Sequence, residues 1–268
     1  YYDQEGLRQL RQDTTGKFAG LGITVAVKDS CPVVIAPIEN TPADRAGLLP
    51  GDLIVSVEGQ DTFGMSLDEV VNILRGEPGT TVRIGVAHKR GQPPRRVAIR
   101  REVIKIRSVA LVERIDPAIG YISMRQTRFS EETASEVQSG LQDLTALGVN
   151  SLILDLRGNP GGLLSQAQQV ADLFLPKGVP IVSVRERDGR REDTKYSLQN
   201  PMAVDIPLVV LIDEGSASAA EIVAGAVQDN DRGIIVGNTS FGKGSVQTIF
   251  DLYETSDSAL KLTTALYY

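Results

Sequence analysis

Asp213-Glu-Gly-Ser-Ala-Ser-Ala-Ala-Glu-Ile-Val-Ala-Gly-Ala-Val-Gln-Asp229, preceded by Leu208-Val-Val-Leu-Ile212, reads as a buried strand, a turn of small residues and a helix. The run from Leu208 is short, apolar and β-branched, as a strand covered on both faces must be. Beyond the serines, Ile222, Val223, Ala226 and Val227 recur at helical spacing. Ser216 or Ser218 therefore lies at or near a helix N-terminus, where unpaired N–H groups and the helix dipole favour developing negative charge. A nucleophile for acyl transfer would find an oxyanion site there.

Such a nucleophile needs a base. The single histidine, His88, closes the alternating run Val82-Arg-Ile-Gly-Val-Ala-His88 ahead of the polar turn Lys89-Arg-Gly-Gln-Pro-Pro94, and reads as a solvated strand end. After residue 200 only Lys243 and Lys261 are present, and Lys243 lies between two glycines with apolar Phe241 and Val246 nearby. Desolvation by crowded backbone lowers a lysine pKa toward the range a general base requires. An extended chain from Lys243 onward would put Lys243, Ser245 and Gln247 on one face and Val246 on the other. The segment Gly237-Asn-Thr-Ser-Phe-Gly-Lys243 has the spacing of a phosphate-binding loop. It continues with Gly244 where Ser or Thr would hold magnesium, and with β-like Ser245-Val-Gln-Thr-Ile-Phe250 where a helix would open, so the nucleotide reading is rejected.

Three motifs, Ser216-Ala-Ser-Ala-Ala-Glu221, Phe241-Gly-Lys-Gly-Ser-Val-Gln247 and Asp155-Leu-Arg-Gly-Asn-Pro-Gly-Gly162, resemble those of the carboxyl-terminal processing proteases, a Ser-Lys serine peptidase family with a built-in PDZ domain. The resemblance implies Ser218 as nucleophile, Lys243 as base 25 residues on, and Gln247 as the group that orients the lysine. Ala220 departs from the family's third serine. Ser216 is expected to be dispensable and Ser218 to be an exposed turn hydroxyl. The resemblance also implies an oxyanion hole from the Ala219 N–H with Gly161 or Gly162, and supporting roles for Asp229 and Ser240. The glycines of this strand-to-helix loop would let backbone approach a ligand, at the position where sites gather in α/β sheets.

Residues 18–103 resemble a PDZ domain. Phe18-Ala-Gly-Leu-Gly-Ile23 leads into alternating Thr24-Val-Ala-Val27, and Ala43-Asp-Arg-Ala-Gly-Leu-Leu-Pro-Gly-Asp52 follows. Ser66 and Glu69 predict a capping box for a helix with Leu67, Val70, Val71 and Leu74 inward and Gly76 as its stop. A hairpin surrounds Lys89 to Pro94. Gly20, Leu21, Gly22 and Ile23 match the carboxylate-binding loop, in which glycines let backbone N–H groups converge on a peptide's free C-terminus while the adjacent strand edge pairs with the peptide. Arg75 either meets an acidic substrate group or complements the helix dipole.

From about residue 108 strands and helices alternate, which predicts an α/β core. Gly120-Tyr-Ile-Ser-Met124, Ser151-Leu-Ile-Leu-Asp-Leu156 and 179–184 read as strands, 130–147 as a helix capped by Ser130 and closed by Gly148, and 164–174 as another helix. Periodicity does not choose among α/β folds; the resemblance implies the β-β-α spiral of crotonase-like and Clp-type proteins. It also implies that 1–17 and 104–268 are parts of longer N- and C-terminal regions, and a bacterial periplasm or cell envelope, or a thylakoid lumen in a plant or alga.

The composition sets bounds on these readings. The 268 residues are 41% hydrophobic and 23% charged with no tryptophan, which suits a globular chain with room for two domains. No apolar run approaches the ~20 residues of a membrane span, and a net charge of −6 argues against nucleic acid as a partner. The one cysteine, Cys31, excludes an internal disulfide or multi-cysteine metal site and reads as a buried structural thiol. No cofactor or metal is expected. The function expected is cleavage of protein or peptide substrates with free C-termini; a catalytically silent PDZ binding or chaperone module is the alternative.

Overall fold

The computed structural model describes residues 1–89, 91–186, 192–203, 206–252 and 258–268. The chain divides into two compact units, Lys17–Ile106 and a larger one made of Tyr1–Gly16 with Arg107–Tyr268.

In the smaller unit, strands Ile23–Lys28, Cys31–Pro37, Leu53–Val57, Thr81–Ala87 and Arg95–Arg100 form one antiparallel sheet in that order, and Lys17–Gly20 pairs with Glu102–Lys105. Alternation explains the burial: Val82, Ile84 and Val86 point into a core shared with Val34, Ile54, Val70 and Leu74. Each such aliphatic side chain contributes roughly 1.5–3 kcal/mol by leaving water. The helix Leu67–Leu74 starts as predicted: the Ser66 N–H donates to Glu69 Oε2 at 2.8 Å and the Glu69 N–H to Ser66 Oγ at 3.3 Å. Its apolar stripe is narrower than expected, because only Val70 and Leu74 are buried while Leu67 is exposed. Arg101 satisfies carbonyls at the helix end, donating to Leu74 at 2.9 Å and Ile73 at 3.0 Å. Gly76 lies against the Arg101 guanidinium, which a Cβ would meet at 2.9 Å. Cys31 opens its strand half-buried, so the expectation of a fully buried thiol is corrected. His88 follows its strand, exposed, with Nδ1 3.2 Å from Asp52 Oδ1. The expected hairpin turn includes Arg90, which lies outside the described residues.

The larger unit contains a five-stranded sheet in the order Ile234–Gly237, Leu208–Ile212, Ser151–Asp155, Ile119–Ser123, Leu111–Asp116, parallel except for the last. Helices Thr133–Ala146, Leu164–Asp172 and Ala219–Asp229 share a core with it, around Phe129, Phe174, Ile122, Leu154, Val210 and Val223. A second, antiparallel sheet runs Glu192–Tyr196, Pro180–Glu186, Ala259–Tyr267, Ser245–Asp251. The N-terminal helix Gln4–Thr15 groups with this unit, and Tyr2 bridges to Ala259.

One predicted cap is corrected. The helix after Ser130 begins at Thr133, and Ser130 is buried a turn ahead, its N–H donated to Thr133 Oγ1 at 2.8 Å and its hydroxyl 3.0 Å from Ser108 Oγ. A hydroxyl network with residues far away in sequence has taken the serine from the helix end. Gly148 does close that helix, at φ 79°, with its N–H on the Thr145 carbonyl.

Candidate active site

The strand Leu208–Ile212 runs through the turn 213–217 into the helix Ala219–Asp229. Ser218 is the residue before the helix, at φ 55° and ψ −112°, a region that non-glycine residues occupy only when surroundings hold them there. The surroundings are identifiable. Asp213 Oδ1 accepts the N–H groups of Gly158 (2.7 Å) and Gly215 (2.9 Å), and the Ala217 N–H donates to the Asn159 carbonyl at 2.9 Å. Those bonds knit the serine turn to the glycine loop 157–162.

Ser216 and Ser218 have different environments. Ser216 is fully buried, its Oγ donating to the Leu156 carbonyl at 2.9 Å and accepting the Asp213 N–H at 3.0 Å. Its hydroxyl is part of the turn's framework. Ser218 is 6% exposed rather than an open turn hydroxyl, and it lines two cavities.

The larger cavity, about 650 Å³, is lined by Ser218, Lys243, Gln247, Arg128, Lys261 and Tyr267 among others. What brings the lysine loop to the serine is Glu221, on the first turn of the helix. Its Oε2 accepts the Ser218 N–H at 2.6 Å and the Lys243 N–H at 3.2 Å, while Oε1 accepts the Gly242 N–H at 2.6 Å and the Ser240 hydroxyl at 2.8 Å. Burial alone would raise the Glu221 pKa, but these donors outweigh it and hold the carboxyl below its ordinary value. It is therefore an ionised clamp that holds the serine turn to a loop 19 to 22 residues beyond Glu221 in sequence.

The Lys243 ammonium is pushed below the ordinary lysine value by burial first, then by the positive charges of Lys261 and Arg128, with Glu221 opposing. The simple alternation predicted from Lys243 to Gln247 does not hold. Gly244 is at φ 52°, and the ladder with Ala259–Tyr267 shifts register between Val246 and Gln247, so Lys243, Ser245, Val246 and Gln247 all line the same cavity. A strand, Ser245–Asp251, follows Lys243 where a phosphate loop would open a helix.

The glycine loop separates its two candidates. The Gly161 N–H is engaged by Asn159 Oδ1 at 2.9 Å, so it is not available as an oxyanion donor. The Gly162 and Ala219 N–H groups have no acceptor among the described residues. Gly161 instead gives close approach: a Cβ there would meet the Ala217 carbonyl oxygen at 2.5 Å and the Ala219 nitrogen at 2.8 Å.

Four participants went unassigned at the sequence level. Glu221 was visible in its motif but carried no predicted role. Asn159 and Asp213 act only through turns that the fold brings together. Tyr267, whose N–H bonds to the Gly244 carbonyl at 2.9 Å, has its phenol pKa raised by burial, partly offset by a hydrogen bond with Ser218. Asp229 is exposed and lines the smaller cavity of Ser218.

In the smaller unit, Gly20, Leu21, Gly22, Ile23 and Arg75 line one pocket of about 130 Å³ with Val71 and Leu74. Among the described residues the N–H groups of Leu21 and Gly22 have no acceptor, and the strand Ile23–Lys28 pairs only with Cys31–Pro37, leaving its other edge open. Gly22 is at φ 76°, and a Cβ on it would come within 2.3 Å of Thr41. Arg75 lies with its guanidinium carbon 6.0 Å from the Phe18 ring centroid.

A serine at positive φ between strand and helix is thus joined through Glu221 to a loop that carries a lysine of depressed pKa. The chain belongs to peptidase family S41, whose model matches residues 118–268, and a PDZ domain model matches residues 33–87. It is similar to the carboxy-terminal-processing protease of Bartonella bacilliformis, 43% identical over all of this chain and 61% of the relative. It is also similar to the carboxy-terminal processing protease CtpA of Bacillus subtilis, 38% identical over 99% of this chain and 55% of the relative. Among solved structures it resembles a photosystem II D1 C-terminal processing protease, 32% identical, with a TM-score of 0.55 over 97% of this chain and 71% of that one. The chain thus spans somewhat more than half the length of these curated relatives. Among the described residues no helix is long and apolar enough to cross a membrane, and no group of three or more His, Cys, Asp or Glu side chains could hold a metal ion.

Proposed function

We propose that this chain is a serine endopeptidase that trims the C-terminal tails of proteins. The observation that carries the reading is the Glu221 clamp, which joins the turn of Ser218 to the loop of Lys243 so that both residues line one cavity. Neutral Lys243 takes the Ser218 proton as Oγ attacks the scissile carbonyl, then delivers it to the leaving amine. Gln247 orients the amine without the charge that would hold it as ammonium. The Ala219 N–H and the unengaged Gly162 N–H receive the oxyanion. Water then hydrolyses the acyl-enzyme, with Lys243 as base a second time.

The loop of Gly20, Leu21, Gly22 and Ile23 receives the substrate's free carboxylate, Arg75 adds a positive charge to that pocket, and the open edge of Ile23–Lys28 pairs with the tail. Support comes from the unpartnered N–H groups and from Arg75 lining the same pocket. In this reading 18–103 is the PDZ domain, 104–268 the peptidase core and 1–17 an N-terminal segment. The succession Leu111–Asp116, Ile119–Ser123, Thr133–Ala146 supports the β-β-α spiral of crotonase-like and Clp-type proteins. The location that goes with the activity is the bacterial periplasm or cell envelope, or a thylakoid lumen in a plant or alga; cell fractionation checks it.

The test is hydrolysis of a peptide with a free apolar C-terminus by the chain and by Ser218→Ala. Cleavage by the former and none by the latter, with peptide binding retained in both, is expected. Equal cleavage by both would remove Ser218 from the mechanism.

A further inference from the structure

The helix Ala219–Asp229 contains a residue that helix formation argues against. Gly225 lies in its interior, where glycine is the least favourable residue other than proline. Close packing accounts for such a residue elsewhere in this unit: a Cβ on Gly140, in Thr133–Ala146, would meet Val112 Cγ2 at 2.9 Å. At Gly225 a Cβ would meet nothing within 4 Å. No neighbour requires the glycine, so the space itself is the feature to explain.

That space belongs to the smaller cavity of Ser218, about 270 Å³, beside the strand Pro180–Glu186. Residues 218, 222, 225, 226 and 229 fall on one side of the helix, so the cavity continues down the helix from the nucleophile. Ile181, Val182, Ile222 and Ala226 line it, each less than a tenth exposed. The volume is below the roughly 300–1,000 Å³ that encloses a whole small-molecule ligand, and it suits a single side chain. Lys243 lines the larger cavity and not this one. The amine leaving group must be protonated by Lys243 and departs on that side, which leaves the smaller cavity for the acyl half of the substrate.

We infer that this cavity receives the side chain of the residue on the acyl side of the scissile bond, that this residue is aliphatic, and that Gly225 sets the limit on its size. The inference rests on the serine-peptidase reading above. Two carboxylates line the cavity: Glu221 is already held by four donors and Asp229 is exposed, so neither calls for a basic side chain. The missing Cβ at Gly225 trades helix propensity for pocket depth.

The experiment uses the chain, Gly225→Ala and Gly225→Leu with one peptide series in which only the acyl-side residue changes among Ala, Leu, Phe and Lys. Diphenyl phosphonates bearing the same side chains give a second readout, the rate of Ser218 labelling. The wild type should favour Leu over Lys by tenfold or more in kcat/KM. Gly225→Leu should lower kcat/KM for Leu by tenfold or more while Ala stays within about threefold, since one or two methylenes in an apolar pocket carry discrimination of that size. Gly225→Ala, which the helix favours, should lower Leu by a few fold at an equal or higher Tm, and it carries the test if the Leu variant does not fold. A uniform fall across the series, an unchanged order in both variants, or a wild-type preference for Lys would overturn the pocket assignment and leave the Ser218 chemistry standing. If neither hydrolysis nor labelling occurs in the wild type, the peptidase reading falls and takes this inference with it.

Discussion

The turn at residues 20–23 and the loop at residues 157–162 both leave a strand on glycines of positive φ, and both expose N–H groups with no acceptor among the described residues. They differ in what lies opposite. Past the first runs a strand with one open edge and a helix whose last carbonyls Arg101 already satisfies. Against the second is packed a serine held at φ 55° by Asp213, Asn159 and Glu221. In the proposed function, unpaired backbone donors bind a stable carboxylate in one setting and meet a transient oxyanion in the other. The surroundings, not the glycines, separate proposed binding from proposed chemistry.

The comparison breaks if chemistry and binding do not separate by mutation. The largest expected effect is on turnover: Lys243→Arg should lose activity by roughly a thousandfold or more, because a guanidinium does not give up its proton near neutrality. Binding of a free-acid tail peptide to the same variant, measured by calorimetry, should be unchanged. Near-full turnover in Lys243→Arg would remove the lysine base.

The reciprocal change comes next. Gly22→Val places a Cβ within 2.3 Å of Thr41 at a φ that β-branched residues avoid. It should weaken tail binding by tenfold or more while Ser218 still reacts with a phosphonate at the wild-type rate. Amidating the peptide should mimic it, and equal binding of amide and acid would show that the loop does not read the carboxylate.

A smaller effect separates the two serines. Ser216→Ala leaves the Asp213 N–H and the Leu156 carbonyl without the buried hydroxyl between them, and should destabilise the protein by about 1–3 kcal/mol in chemical denaturation. Its activity should fall only in step with any loosening of the turn. Ser218→Ala should show the opposite pattern, with stability kept and turnover lost.

The smallest effect is a shift in pH profile. The base works deprotonated, so kcat/KM should climb as pH rises through the depressed Lys243 pKa. Lys261→Met removes a positive charge that lowers that pKa. The pKa should rise and the climb should move to higher pH, with the plateau unchanged. Gln247→Glu should move it the same way by stabilising the ammonium. A profile that moves to lower pH in either variant contradicts the assignment.

Features confined to a short stretch were legible without the fold. The apolar run into the serine turn, the capping box of Ser66 and Glu69, the stop at Gly148 and the alternation of Val82, Ile84 and Val86 each depend on neighbours within a few residues, and each is in the structure. The motifs around Ser218, Lys243 and Gln247 were legible for the same reason, since each is continuous in sequence. What the tertiary structure decided involves partners far apart along the chain. Glu221 meets Ser240, Gly242 and Lys243; Arg101 reaches back to Leu74; Asp213 takes the Gly158 N–H; Ser108 draws Ser130 from its helix. A hydrogen-bond donor has one proton to give, and which acceptor receives it depends on distances that only folding sets. Gly225 shows the same division: its composition was plain from the start, but the empty space beside it exists only where the helix and the strand Pro180–Glu186 come together.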